Sequence, residues 1–521
     1  MLKKTSTLII AFICSWSLLS CDTQTAATSS ADNDKKTKPS KLQKIKQSGI
    51  LHVATRIDPT TYTPLPKGGY TGLEYDLVML FAKHLGVKVD FQIPESFEEI
   101  LQKTASGEID IAAAGLTITA ERKKTLRFAP SYHEITEQII YRTGTAKPKS
   151  ATDLTAGILE VTKGTSHVGS LQLLKQKSAP KLNWLTNDNL DSKQLIELLN
   201  NGLIDYTVAD SNQAMLMRRF YPKLHIAFDI SKPRELAWAM SANADDSLHK
   251  EVSEFFKRIK KDKSLKQLLE RHYGHAEKLN YVDKCKFYQH QKNRLPEYKE
   301  YFMEAGEKYD MDWRLLAAIG YQESHWEEGA ISPTGVRGLM MLTKDTAKQV
   351  GIKDRTDPVQ SIKGGALYFH QRIKTIPKRI PNPDRIWFAL ASYNIGYGHL
   401  EDARVLTQKN GGNPDKWIDV KEFLPKLSEE AWHTKTKHGY ARGKEPVIYV
   451  ENVRNYYDLL LWQTNKEQQA QPEISDNNPN FIDKLFNTYF MIDFNKRLAR
   501  KKSVNKAEVS DSSTPPVQST E

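Results

Sequence analysis

Glu323 closes an apolar stripe. In the stretch Ala317-Ala318-Ile319-Gly320-Tyr321-Gln322-Glu323-Ser324-His325-Trp326, Ile319 lies four residues before it, and Leu316 lies seven before. Residues at those spacings share one helical face. A carboxyl on such a face loses hydration, and its pKa rises. A carboxyl still protonated near neutral pH can hand a proton to a leaving group. The plainer alternative is a helix-terminal Glu that faces water. Glu327 and Glu328 have no apolar setting and read as solvated.

A second set of groups suits ligand binding. Arg122 supplies a planar guanidinium that can hold a carboxylate through two bonds. Lys163-Gly164-Thr165-Ser166 places small hydroxyl residues after a glycine, where backbone N–H groups can face an anion. Asp210 adds a negative group. Together they offer the cation, hydroxyls and anion that an amino acid or a peptide terminus requires. Arg122 can otherwise be a surface charge, and Asp210 can otherwise cap a helix beginning at Ser211.

Two kinds of element must position these groups. Ile50-Leu51-His52-Val53-Ala54-Thr55 reads as a strand, and a helical pattern runs from Gly72 through Leu77, Leu80 and Phe81 to Leu85. Val87–Phe91 and Ile109–Ala113 read as further strands around a helical stretch over Ile100–Thr104. Strands alternating with helices predict an α/β domain with a mostly parallel sheet. After Pro296 helical periods dominate. They cover Tyr298–Tyr309, a helix capped by Asp312 and running to Glu323, then 343–350, 361–373, 386–391 and 447–461. The expected division is a signal over 1–21, a flexible tether over 22–41, an α/β domain over 42–275, a hinge over 276–296, an α-rich domain over 297–465 and a tail over 466–521. A further helix is expected within the tail, from Phe481 to Leu498.

The composition fits this plan. The chain has 521 residues, with 39% hydrophobic and 26% charged, and its net charge of +12 favours anionic partners. No Arg-rich arm, zinc-finger or RNA-binding signature points to nucleic acid. Lys3 and Lys4 precede an apolar run from Leu8 to Leu19, of signal-peptide length. Only Cys14, Cys21 and Cys285 are present, so no disulfide framework is expected. No Cys/His cluster has metal-ligand spacing, and neither metal nor cofactor is called for.

Three resemblances extend this reading. Leu18-Leu19-Ser20-Cys21 resembles a bacterial lipoprotein signal, which implies acylation of Cys21 and a lipid anchor at a membrane surface. Residues 45–275 resemble the bacterial extracellular solute-binding proteins of the amino-acid-binding type, through Gly72-Leu73-Glu74-Tyr75-Asp76-Leu77, Gly107-Glu108-Ile109-Asp110-Ile111 and Leu116-Thr117-Ile118-Thr119-Ala120-Glu121-Arg122. That implies a two-lobed periplasmic domain in which Arg122, helped by Thr117, holds a ligand carboxylate. Thr165 and Ser166 contribute from the second lobe, and Asp210 holds the ligand ammonium.

Residues 300–465 resemble the lytic transglycosylase domain, a lysozyme-like fold. Four segments match in order: Glu323-Ser324, Gly335-Val336-Arg337-Gly338-Leu339-Met340-Met341, Ala391-Ser392-Tyr393-Asn394-Ile395-Gly396 and Tyr449-Val450-Glu451-Asn452-Val453. The resemblance implies a catalytic Glu323 acting on peptidoglycan glycan strands, with Ser324, Met341, Tyr393, Asn394 and Tyr449 around the substrate. Met341 departs from the pattern, which has Gln there, a residue that by the resemblance usually meets sugar substituents. Trp326 can stack on a sugar or pack in the core. The fusion of the two domains resembles the membrane-bound lytic transglycosylases of cell-wall turnover, in which the first domain would sense an amino acid or muropeptide effector. That family is expected at the inner leaflet of the outer membrane, although Asp22 after Cys21 resembles an inner-membrane retention signal.

Overall fold

The computed structural model of the protein describes residues 38–65, 68–275 and 281–470. The expected signal, Cys21, Asp22, most of the tether and the helix over 481–498 lie outside the described residues. The Ser40 side chain caps the helix Lys41–Ser48 while Gln43 returns the bond to the Ser40 backbone.

Two lobes follow, each built on a five-stranded sheet. In the first, Ile50–Ala54 lies parallel to Lys88–Gln92 and to Ile111–Ala112, with Leu51 opposite Val89 and Val53 opposite Ile111. Ala239–Ser241 and Leu126–Phe128 complete this sheet antiparallel. In the second, Tyr206–Asp210 is parallel to Leu159–Thr162 and antiparallel to Glu137–Arg142. The sheets are therefore mixed, not mostly parallel as expected. The reason is the path of the chain, which crosses between lobes and returns through the antiparallel pair His133–Ile135 and Arg234–Leu236. Beneath the first sheet Glu74 is buried, accepting from Tyr132 Oη at 2.5 Å, Trp238 Nε1 at 2.6 Å and Gly115 N at 2.9 Å. A buried carboxylate needs such partners.

The second half is helical. Leu295–Lys308, Trp313–Ser324, Pro358–Thr375, Asp384–Ile395 and Lys444–Ala470 share one apolar core. Helices not anticipated are Tyr397–Lys409 and the short Trp417–Val420 and Glu430–His433. The stretch expected to be a hinge differs as well, because Tyr281–Asn293 is a helix. Its Phe287 is fully buried and stacks on Tyr456 at 5.2 Å between centroids. One buried aromatic in a Lys- and Gln-rich segment leaves little periodic trace, which is why the sequence reads there as a hinge. Among the described residues no helix is long and apolar enough to cross a membrane.

Replacing Phe287 with Ala should destabilise the helical domain by about 3–5 kcal/mol, the usual range for a buried phenylalanine. Denaturant unfolding measures this, and an unchanged midpoint would contradict the packing of that helix.

Candidate active site

Asp312 starts the helix that carries Glu323. Its carboxylate accepts from Arg314 N at 3.0 Å and from the buried Arg314 guanidinium at 2.8 Å. The helix passes so close to its neighbours at Gly320 that a β-carbon there would meet Phe302 at 2.9 Å. It stops abruptly, with His325 and Trp326 both at φ 55° in the left-handed region. Trp326 is core, not a sugar platform. It is 1% exposed and its indole donates to Ala317 O at 2.8 Å.

Glu323 sits at this helix end with limited access to solvent, and Tyr449 Oη donates to its Oε1 at 2.6 Å. Burial pushes the carboxyl up to about 7, against the smaller lowering effect of the Tyr449 bond. Among the described residues no second carboxylate is an influence on it. Burial, with the Glu323 charge next, holds the Tyr393 and Tyr449 hydroxyls well above their ordinary value, so both remain donors.

The supporting segments converge on this carboxyl. Ser324 is buried, and its hydroxyl lies 2.8 Å from Leu339 O and 3.2 Å from Gly320 O. It thus ties the Glu323 helix to the Gly338–Leu342 segment. Tyr393 Oη donates to Met340 O at 3.0 Å, and Met340 N donates to Ser361 Oγ at 3.0 Å. The Tyr393 and Tyr449 rings lie nearly parallel, 6.4 Å apart. Met341 is half-buried with φ 46°, a backbone conformation costly for a residue with a side chain. Asn394 is exposed at the end of its helix. Glu327 and Glu328 are exposed, as expected.

The two-lobed domain gathers its own set. Arg122 is buried, donating to Thr117 O at 2.9 Å in its own lobe and to Gly164 O at 3.1 Å across the cleft. Burial lowers its guanidinium to about 10, with Asp210 and Glu137 opposing. Ser166 Oγ lies 3.3 Å from Thr117 Oγ1 and 2.6 Å from Glu137 Oε1. Thr165 instead donates to Thr162 O at 2.7 Å, closing its own turn. Asp210 occupies the N-cap position before Ser211 yet makes no side-chain cap bond. Its carboxylate pairs with His167 Nε2 at 3.0 Å. Burial pushes Asp210 up, but His167 and the Arg56 and Arg122 charges together outweigh it and hold it below its ordinary value.

Sequence reasoning missed Glu137, His167, Arg56 and Arg234 here. Glu137 is wholly buried, with Oε2 lacking a hydrogen-bond partner, and Arg234 lies 3.6 Å from it. His167 directly follows the Thr165-Ser166 turn, a position that could have flagged it. Glu137, His167 and Asp210 could together face a cation, all three atoms lying within 4.8 Å of one another. The arginines beside them oppose a bare metal ion and favour a partner that carries both charges.

The helix bearing Tyr449 also joins the two domains. Further along it, Arg454 donates to Glu270 O at 3.1 Å and Arg271 O at 2.9 Å, and Asn455 donates to His275 O at 2.8 Å. Asp458 meets Arg219 at 2.5 Å and His275 at 2.7 Å, and Trp462 stacks on Phe220 at 5.2 Å. Burial, then the Arg454 and Arg219 charges, depress His275 to about 3, so it is neutral there.

Comparison with known proteins agrees with this division. Residues 51–275 match the bacterial extracellular solute-binding proteins, family 3. Residues 300–416 match the transglycosylase SLT domain. The membrane-bound lytic murein transglycosylase F of Saccharophagus degradans is 46% identical over 83% of this chain and 86% of its own. That of Pseudomonas fluorescens strain Pf0-1 is 43% identical over 83% of this chain and 89% of its own. The crystal structure of an ancestral amino-acid-binding protein, a precursor of cyclohexadienyl dehydratase, is 28% identical over 45% of this chain and all of its own, with a TM-score of 0.41.

The raised Glu323 carboxyl predicts a pH signature. The folded state holds this proton more tightly than the unfolded chain, so stability is lost as pH rises from 4.5 to about 7. Glu323→Gln should remove that loss. Thermal unfolding of both proteins across this window checks it, and parallel curves would contradict the burial of the carboxyl.

Proposed function

Since the chain belongs to the membrane-bound lytic murein transglycosylase F family, we propose that Glu323 is the single acid and base of its reaction. The chain is a murein-degrading lytic transglycosylase with a solute-binding domain ahead of its catalytic domain. The observation that carries the assignment of Glu323 is its carboxyl, raised to about 7 by burial and bonded by Tyr449.

A group with that pKa can give a proton and take one back at neutral pH. Glu323 first protonates the oxygen linking N-acetylmuramic acid to N-acetylglucosamine. As the bond breaks, the substrate's own acetamido group supports the positive charge at C1. Glu323, now ionised, takes the proton from the muramic acid C6 hydroxyl, which attacks C1 and closes a 1,6-anhydro ring. No water is consumed. The attacking hydroxyl belongs to the substrate, so proximity assists the step. Tyr449 orients the carboxyl. Ser324 and Tyr393 hold the Leu339–Met340 backbone that borders it, and Met341 and Asn394 face the sugars from half-buried and exposed positions.

The solute-binding domain senses an amino acid or peptide through Thr117, Arg122, Ser166 and Asp210, with Thr165 shaping the turn. A ligand that clamps its lobes acts on the same domain that holds the Tyr449 helix at Arg454, Asn455 and Asp458, which gives the site a route to the catalytic carboxyl. The enzyme is membrane-associated and periplasmic. We assign its anchor to an acylated Cys21, with the outer membrane's inner leaflet as its place and the inner membrane as the alternative suggested by Asp22.

Glu323→Gln should lower murein cleavage by roughly 100-fold or more, within the range of general acid–base catalysis. Mass spectrometry of digested sacculi reads the chemistry directly: wild type should leave 1,6-anhydro ends, and reducing ends would refute the mechanism. For the first domain, calorimetry should detect an amino acid or stem peptide that Arg122→Ala no longer binds. Absence of heat with wild type would refute the sensing role.

A further inference from the structure

A cavity of about 870 Å³ lies where the two domains meet, and none of the residues assigned above to catalysis or to the first domain's ligand lines it. Three walls border it. Glu134 and the helix Ser264–Tyr273, through Glu270 and Tyr273, form the first. Arg218, on the second-lobe helix Ser211–Phe220, belongs to the second. Lys284 of the helix Tyr281–Asn293 and Ile418 border it from the catalytic side.

Lys284 is the unusual group in these walls. It is 8% exposed, yet among the described residues its ammonium bonds a neutral acceptor, the Arg218 carbonyl at 3.1 Å, and no carboxylate. The other cations packed between the domains have carboxylates. Arg219 pairs with Asp458, and Lys421 and Arg454 lie 2.6 and 3.7 Å from Glu270, which is thereby spent. Lys266, at the edge, pairs with Glu422 at 3.3 Å. The remaining acid of the walls, Glu134, is exposed and lies opposite Glu235 in the adjoining strand. Burial lowers the His133 imidazole, so it adds no charge at neutral pH. Arg218 brings a second cation, whose side chain bonds Leu224 O through Nε at 3.4 Å. Burial, then the Arg218 and Arg219 charges, depress Lys284 to about 8, so it is still protonated at neutral pH. A buried ammonium without a countercharge is costly.

We infer that this cavity binds a small oxyanion, a carboxylate or a phosphate, held between the Lys284 ammonium and the Arg218 guanidinium. Such an anion supplies the countercharge that Lys284 lacks, and its bonds to both groups are charge-assisted. It also fastens the second lobe, through Arg218, to the helix Tyr281–Asn293, which packs into the catalytic core through Phe287. The same two charges repel a cation, and an apolar guest leaves both unpaired. The inference is independent of the murein-cleaving reading.

Calorimetric titration of the full chain with inorganic phosphate and with acetate, against chloride at equal ionic strength, tests it. One of the two should bind saturably, and which one binds more tightly tells phosphate from carboxylate. Binding should persist in Arg122→Ala, which removes the guanidinium of the ligand cleft, and weaken at least about tenfold in Lys284→Met and in Arg218→Gln. Thermal unfolding separates charge from folding. Without anion, Lys284→Met should melt no lower than wild type, because an apolar chain of similar size replaces an unpaired charge. The anion should raise the melting temperature of wild type and not that of Lys284→Met. Absence of saturable binding to wild type, or its loss in Arg122→Ala, would overturn the inference. So would unchanged affinity in Arg218→Gln, a half-buried position whose result stands even if Lys284→Met fails to fold.

Discussion

One hydrogen bond in a poorly hydrated place governs this protein. The Tyr449 hydroxyl donates to Glu323 at 2.6 Å, and burial keeps the carboxyl near pH 7 in its titration. The two influences oppose each other. Desolvation raises the carboxyl's hold on its proton, and the phenol's hydrogen bond partly offsets it. Everything that fixes Tyr449 or the end of the Glu323 helix thus bears on the acid–base role proposed for that carboxyl. That includes the Ser324 bond to Leu339, the Tyr393 bond to Met340 and the left-handed turn at His325 and Trp326.

The same helix answers to a second domain. Tyr449 lies near its start, and Arg454, Asn455, Asp458 and Trp462 follow on the next turns, each meeting the solute-binding domain. A helix rises 1.5 Å per residue, so Trp462 stands about 20 Å from Tyr449 along one rigid rod. The docking is polar and largely buried. Asp458 is held well below the ordinary carboxylate range, since Arg219 and His275 outweigh the burial that would raise it. Removing Asp458 would strand the buried Arg219 guanidinium.

Much of this was legible before the fold was known, and the rest was not for definite reasons. The apolar face leading to Glu323 could be read because helical periodicity is local, and Asp312 announced the helix start. The pairing of Glu323 with Tyr449 spans 126 residues, and no local signal encodes it. Asp210 was open between a cap and a ligand group, and only the fold, by bringing His167 to it, shows that the cap bond is not made. Glu137 was invisible as a site residue because it opens the strand Glu137–Arg142 beside Gln138, where a polar residue ahead of Ile139 and Ile140 carries no message. The helix at Tyr281–Asn293 was hidden by its own surface, rich in Lys and Gln around one buried Phe287.

Ser324 deserves a last consequence. Its single hydroxyl proton is shared between the Leu339 and Gly320 carbonyls, which leaves Tyr449 as the side chain bonded to Glu323 among the described residues. On the proposed mechanism the attacking group is the substrate's own hydroxyl. That mechanism parks no glycosyl group on the enzyme, and it predicts that activated-sugar reagents designed to trap such an adduct leave Glu323 unlabelled. Inhibitors suited to it imitate the cationic ring or occupy the carboxyl.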